Sequence, residues 1–286
     1  MKKEKTGIIL VLIFLIGVSV LLYPTLADFW NQKHQSSAIA DMEKILSNMD
    51  EDEYAEIFEE AKKYNEALSN LQYPLIDGKD LEGYYSTLNP LGNGMIGYIT
   101  ISRINVELPI YHGTSDSVLG SAVGHIQGTS LPIGGEGTHC AVSAHRGLPS
   151  AKLFTDLDQL EKGDTFTIKV LDRMVTYEVD KISIVEPDEV NELAMVPGEA
   201  YCTLVTCTPY GINTHRLLVR GTRIENVRPP LYITTEAFEI DSLLAAPAVA
   251  APILFVLFIA LMVKYRKPVG KKYKVKEIDY EEYEDD

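Results

Sequence analysis

A mainly β domain, preceded by a helical segment and flanked by two membrane-length apolar runs, is the architecture predicted by this sequence of 286 residues. Three observations carry it. From Gly94 to Ile224, short runs rich in β-branched and aromatic residues are separated by Gly and Pro turns, which suggests a closed barrel or a sandwich. Gly7 to Leu26 is almost unbroken apolar sequence behind Lys2, Lys3 and Lys5. Leu243 to Val263 is a second such run, followed by Lys264, Arg266 and Lys267.

Residues 1–6 form a basic N-terminus and 7–26 a transmembrane anchor, since about 20 apolar residues span a hydrocarbon core of about 30 Å. A cleaved signal peptide would end in small residues. Here Tyr23-Pro24-Thr25-Leu26-Ala27 runs into Asp28, Phe29 and Trp30, so the anchor is read as uncleaved. Basic residues on the outer flank of each span put both termini in the cytoplasm and the chain between them outside the cell membrane.

Residues 27–93 form an extracytoplasmic helical and loop segment. Ile39, Met42, Leu46, Met49, Ile57, Phe58, Ala61, Tyr64 and Leu68 recur at helical steps, with the acidic cluster around Asp52 dividing two helices that lean on the following domain. Tyr73 to Gly83 reads as an irregular loop. Within the domain, 94–224, strands are expected at Gly97–Ile101, Val106–Ile110, Thr138–Ala144, Thr165–Val170, Val175–Val185, Tyr201–Thr206 and His215–Arg223. Ser150 to Leu160 reads as a helix with Leu153, Leu157 and Leu160 on one face. A linker, 225–242, leads to the second transmembrane helix, 243–263, in which Pro247 and Pro252 are tolerable. Residues 264–286 are a basic, then acidic, solvated tail.

A net charge of −15 argues against nucleic acid as a partner, because a phosphate-binding surface needs clustered Lys and Arg. No cofactor or metal is expected: Cys-x-x-Cys, His-Glu-x-x-His and Walker patterns are absent, and Gly134 to Gly137 lacks the flanks of a nucleotide loop. Glu186, Asp188, Glu189 and Glu192 read as solvated loop charge.

The chemistry points to Thr203-Leu-Val-Thr-Cys207-Thr-Pro-Tyr-Gly-Ile-Asn-Thr-His-Arg216. A strand ends near Cys207, Pro209 and Gly211 turn the chain, and a second strand opens near Arg216, so thiol and guanidinium meet at one rim. The same residues also suit a small buried hydrophobe and a surface charge. A thiol nucleophile needs a proton donor and acceptor. Among six histidines His145 is the best placed, at the end of the strand Thr138 to Ala144 and just before Arg146-Gly147-Leu148-Pro149. His34 lies in a helical segment, His112 and His125 sit beside glycines in expected loops, His139 is a core or surface residue within a strand, and His215 adjoins Arg216, where a positioning role stays open.

Thr203 to Cys207 with Arg216 behind it, and Ala144-His145-Arg146-Gly147 ahead, resemble the signatures of sortases, membrane-anchored cysteine transpeptidases of Gram-positive bacteria. Gly97 to Ile104, Leu108 to Gly113 and Leu153 to Leu157 extend the similarity, and Cys-Thr-Pro-Tyr-Gly-Ile-Asn-Thr-His-Arg resembles class C, the pilin-polymerising branch. The resemblance implies an eight-stranded sortase barrel. It also implies cleavage of a Leu-Pro-x-Thr-Gly-like signal between Thr and Gly. Cys207 would be the nucleophile, His145 the general acid and base, and Arg216 the stabiliser of oxyanion or substrate. The acyl group would pass to a pilin lysine amine. A sortase anchoring single proteins to cell-wall peptide, or a non-enzymatic membrane scaffold, are the alternatives. Class C enzymes usually carry an Asp-Pro-aromatic lid, which this chain lacks. Asp77 or Asp80 with Tyr84 or Tyr85 have the wrong spacing, so a different lid, or none, is expected. If the strands ending at His145 and Cys207 run parallel as neighbours, as the resemblance implies, Cys140 and Cys202 sit at matched heights, as adjacent buried thiols or as a disulfide.

Overall fold

The computed structural model describes residues 2–226 and 252–260. The chain divides into two units, Met1–Leu22 with Glu239–Asp286, and Tyr23–Phe238. In the first, apolar side chains of the N-terminal helix α1 (Lys2–Leu46) are exposed, Ile16 and Val20 among them. Among the described residues α1 is the one helix long and apolar enough to cross a membrane. Residues 252–260 are also helical, and Phe258 stacks on Phe14 with ring centroids 4.5 Å apart. The rest of the expected second span, the linker beyond Asn226 and the tail lie outside the described residues.

In the second unit, α1 ends at Leu46 and α2 (Glu51–Ser69) follows, so the helical stretch is broken where the acidic cluster predicted. Asp50 and Glu53 form a reciprocal capping box, and Glu51, Asp52 and Glu53 place negative charge at the positive helix end. The acidic residues thus start a helix. Ile39, Met42 and Leu46 of α1 and Phe58, Ala61, Tyr64 and Leu68 of α2 are buried in one core with the strands. Asn65 fixes the register of α2, accepting from Leu131 N at 2.7 Å and donating to Leu131 O at 3.2 Å.

Eight strands close into a barrel in the order β1-β2-β3-β4-β7-β8-β6-β5. They are β1 (Met95–Ile101), β2 (Val106–His112), β3 (Val123–His125), β4 (Thr138–Ser143), β5 (Thr165–Val170), β6 (Arg173–Val185), β7 (Ala200–Thr208) and β8 (His215–Ile224). The pairs β2/β3 and β4/β7 are parallel and the others antiparallel. Gly97 allows β1 to approach β5, since a Cβ there would lie 2.1 Å from Lys169 O.

Successive strand residues face opposite sides of the wall. Cys140 and Val142 of β4, Cys202 and Leu204 of β7, and Leu217 and Val219 of β8 join the barrel interior. Ala141, Val205 and Leu218 belong to a separate apolar cluster with Val185 and Leu193, on the other face. Cys202 and Cys207, an odd number of positions apart, therefore serve different faces.

Three sequence expectations are corrected. Strand β3 was not foreseen, because three residues with Gly124 at their centre are too short to show alternation. It takes His125 out of a loop, and β2 does the same for His112; both are buried. Residues 150–160 hold only a 3-10 turn at Leu157–Gln159 instead of a helix. Leu153 has φ of 42°, which a helix cannot continue through, and this segment bonds to distant partners. Lys152 N donates to Asp28 Oδ1 at 2.9 Å, Asn31 Nδ2 donates to Ser150 O at 2.8 Å, and Phe154 N donates to His145 O at 3.1 Å. The Tyr73–Gly83 loop contains one short helix, α3 (Pro74–Asp77), and a 3-10 turn at Gly78–Asp80.

Cys140 and Cys202 are register partners on parallel β4 and β7, both buried and both free thiols. Burial pushes the Cys202 thiol well above its usual range. Titration of denatured, unreduced protein with a thiol reagent should therefore count all three cysteines. A count of one would mean that the pair is oxidised.

Candidate active site

Cys207 is the penultimate residue of β7 and pairs directly with Arg216 of β8, across the loop Pro209 to Thr214. The strand runs past the point that the sequence pattern suggested, so the thiol sits on sheet backbone rather than in the loop. On the other side of β7, the last pair with β4 is Ser143 and Val205. Ala144 N then donates to Val205 O at 3.2 Å, and Thr206 Oγ1 donates to Ala144 O at 2.8 Å. His145 thus leaves β4 beside Cys207. His145, Cys207 and Arg216, each half-buried, line one cleft of about 410 Å³.

The cleft lies over the outer apolar cluster, with Val185, Leu193, Val205, Leu218 and Ile126 in its wall. Such a surface suits an aliphatic side chain. Arg216 curls toward its own loop, donating from Nη1 to His215 O at 3.1 Å and Asn213 O at 3.4 Å. His215 is held between Glu186, 3.2 Å from Nε2, and Thr214 Oγ1, 2.9 Å from Nδ1. Glu192 pairs with Lys181 at 2.5 Å. Among the described residues no group of His, Cys, Asp or Glu is arranged to hold a metal ion.

Residues 99–224 match the family model of the sortase domain. Sortase C1 of Streptococcus agalactiae has a solved structure 46% identical to this chain, covering 67% of this chain and 100% of that one at a TM-score of 0.61. The chain belongs to the sortase family. Sortase C-1 of Streptococcus pneumoniae is similar as well, at 42% identity, coverage of 67% and 100%, and a TM-score of 0.60. These neighbours place it in class C. Among curated relatives, sortase D of Bacillus subtilis is 30% identical over 131 residues and sortase A of Streptococcus agalactiae 32% over 117. Those alignments cover 45% and 40% of this chain, and 63% and 47% of the relatives.

In this sortase both threonines of Thr203-Leu-Val-Thr-Cys207 reach across to the β4 segment. Thr206 bonds Ala144, as above. Thr203 Oγ1 lies 2.7 Å from His139 Nε2, while Nδ1 of the same ring lies 2.9 Å from Ala194 O. A carbonyl only accepts, so His139 carries its proton on Nδ1 and takes one bond from Thr203. Burial holds His139 below the usual histidine range, and does the same to His112, whose Nδ1 donates to Gly94 O at 3.0 Å. Sequence reasoning left these roles open. The pairing of a buried His with a Thr on the next strand has no local signature.

The sign of the pH dependence follows. The unfolded chain takes up protons on these rings below about pH 6.5, and the folded chain resists. Stability should be full above that value and decline as the pH falls through the lowered folded values. Thermal melts at about pH 7.5 and about pH 5 should show this loss, and His112→Gln should reduce it, leaving the part due to His139.

Leu75 and Lys79, from α3 and the following turn, also line the cleft, and Leu75 packs on its apolar cluster. Tyr84 does not line it. Its ring is 2% exposed and its hydroxyl lies 2.8 Å from His125 Nδ1 while accepting from Gly113 N at 2.9 Å.

Proposed function

We propose that this protein is a membrane-anchored transpeptidase that cleaves a Leu-Pro-x-Thr-Gly-like sorting signal between Thr and Gly and joins the new acyl end to a pilin lysine. The observation that carries the proposal is the meeting of Cys207, His145 and Arg216 in one cleft over an aliphatic wall. A free thiol has a pKa of about 8.5, so the nucleophile depends on a neighbouring acid and base.

Cys207 Sγ attacks the threonine carbonyl carbon as its proton passes to His145, and the same route in reverse returns a proton to sulfur at the end of the cycle. Arg216 stabilises the oxygen as it takes on charge. The bond from carbonyl carbon to glycine nitrogen breaks as His145 protonates the leaving amine, giving a thioester. A neutral lysine amine then attacks that carbonyl, His145 takes its proton, and the carbon–sulfur bond breaks. The product is an isopeptide and the thiol is restored. The aliphatic wall receives the leucine and proline of the signal.

The anchor at 7–26, the second span at 243–263, the catalytic domain at 94–224 outside the membrane and both termini in the cytoplasm belong to the same proposal. The basic flanks of the two runs and the stacking of Phe14 on Phe258 support it. The test is intact mass spectrometry of the full chain in detergent with a panel of Leu-Pro-x-Thr-Gly-type peptides. The expected result is an acyl adduct on Cys207, followed by transfer to a lysine-bearing pilin peptide. An adduct that only a cell-wall peptide amine resolves would assign the single-protein anchoring role instead. No adduct, with Cys207 still open to alkylation, would overturn the substrate assignment.

A further inference from the structure

We infer that Arg146 is a positioning residue, whose guanidinium locks the segment carrying His145 to the segment carrying Cys207. The inference rests on the roles proposed above for those two residues. Arg146 follows His145 directly, yet its side chain does not line the cleft. It is 9% exposed. Nη2 pairs with Asp158, Nη1 donates to Thr208 Oγ1 at 3.4 Å, and Cζ lies 5.8 Å from the centroid of the Tyr210 ring. Thr208 and Tyr210 belong to the Cys207 segment, and Asp158 to the far end of the loop that begins at His145.

Backbone contacts close that loop on itself. Phe154 N donates to His145 O at 3.1 Å, and Gly147 N donates to Thr155 Oγ1 at 3.1 Å. The Tyr210 ring covers Gly147, where φ is 75° and a Cβ would come within 3.0 Å of the ring. Beyond the point where β4 and β7 stop pairing, Arg146 and the Tyr210 ring over Gly147 therefore add side-chain contacts to the bond from Thr206 to Ala144 that already ties the two segments.

Packing alone does not explain a guanidinium at this place. Arg146 Nε is buried without a partner, which costs stability, and an apolar side chain would fill the space without that cost. A planar fork on a long stem reaches Asp158, Thr208 and Tyr210 at once. Its effect is to fix the backbone of His145 against that of Thr208, and so the imidazole against the thiol. A misplacement of about 1 Å at such a pair costs about 10²-fold in rate.

Two readouts on the full chain in detergent test this: the pH profile of Cys207 alkylation by iodoacetamide, and kcat and KM with the preferred peptide. Arg146→Gln should keep KM, lower kcat by about 10²-fold, and displace the alkylation profile in the same direction as His145→Ala. Arg146→Lys should recover part of both. Asp158→Asn leaves the guanidinium in place and removes its anchor, so it should reproduce the effect in milder form and keeps the question open to test if Arg146→Gln fails to fold. An Asp158→Asn profile and kcat equal to wild type, with His145→Ala displaced, would overturn the inference and leave the proposed function standing. If His145→Ala itself alkylates like wild type, the proposed pairing of His145 with Cys207 fails, and the inference with it.

Discussion

Cys207→Ala is expected to form no acyl adduct and to show no peptide cleavage, while melting like the wild type. Its side chain is half-buried at a strand end on the outer face, so removing the sulfur leaves little cavity. Cys202→Ala should do the reverse. That thiol is fully enclosed in the core against Cys140, and its loss should cost about 0.5–3 kcal/mol of stability without ending acylation. Mass spectrometry and urea unfolding on both variants separate the effects. If both variants lost activity equally, the division of labour between the two faces of β7 would be wrong.

Arg216→Ala should lower kcat for acylation by about 10²–10³-fold, leaving a slow reaction that Cys207→Ala does not have. The guanidinium pairs across the strands from Cys207 and is bent toward its loop by the carbonyls of His215 and Asn213, both accepting from Nη1. In the proposed role, its other nitrogens would meet the oxygen that gains charge. Lysine carries one compact charge and no fork, so Arg216→Lys should recover only part of the rate. Single-turnover acylation is the measurement. A rate unchanged in Arg216→Ala would remove the residue from the chemistry and leave it as a loop brace.

Much of this site is legible in the sequence because its signals are local. The β-branched run before Cys207, the turn at Pro209 and Gly211, and the strand reopening at His215 need no tertiary information. The break between α1 and α2 is equally local, fixed by the Asp50 and Glu53 cap. What stayed hidden depends on distant partners. The three residues of β3 become a strand only because β2 and β4 pair with them. The helical spacing of Leu153, Leu157 and Leu160 is real, but Asp28, Asn31 and His145 claim the backbone groups of that segment. Arg146 looked like part of a motif and gave no sign of its reach to Thr208 and Asp158.

The bonds from Asp28 and Asn31 to Lys152 and Ser150 bear on where the chain is cut for study. Any shortened version begun beyond Asn31 hands both of those backbone groups to water, at the outer end of the loop that returns through Phe154 to His145. Rates measured on such a fragment are expected to differ from those of the full chain, which would make the length of the N-terminal truncation a kinetic variable in its own right.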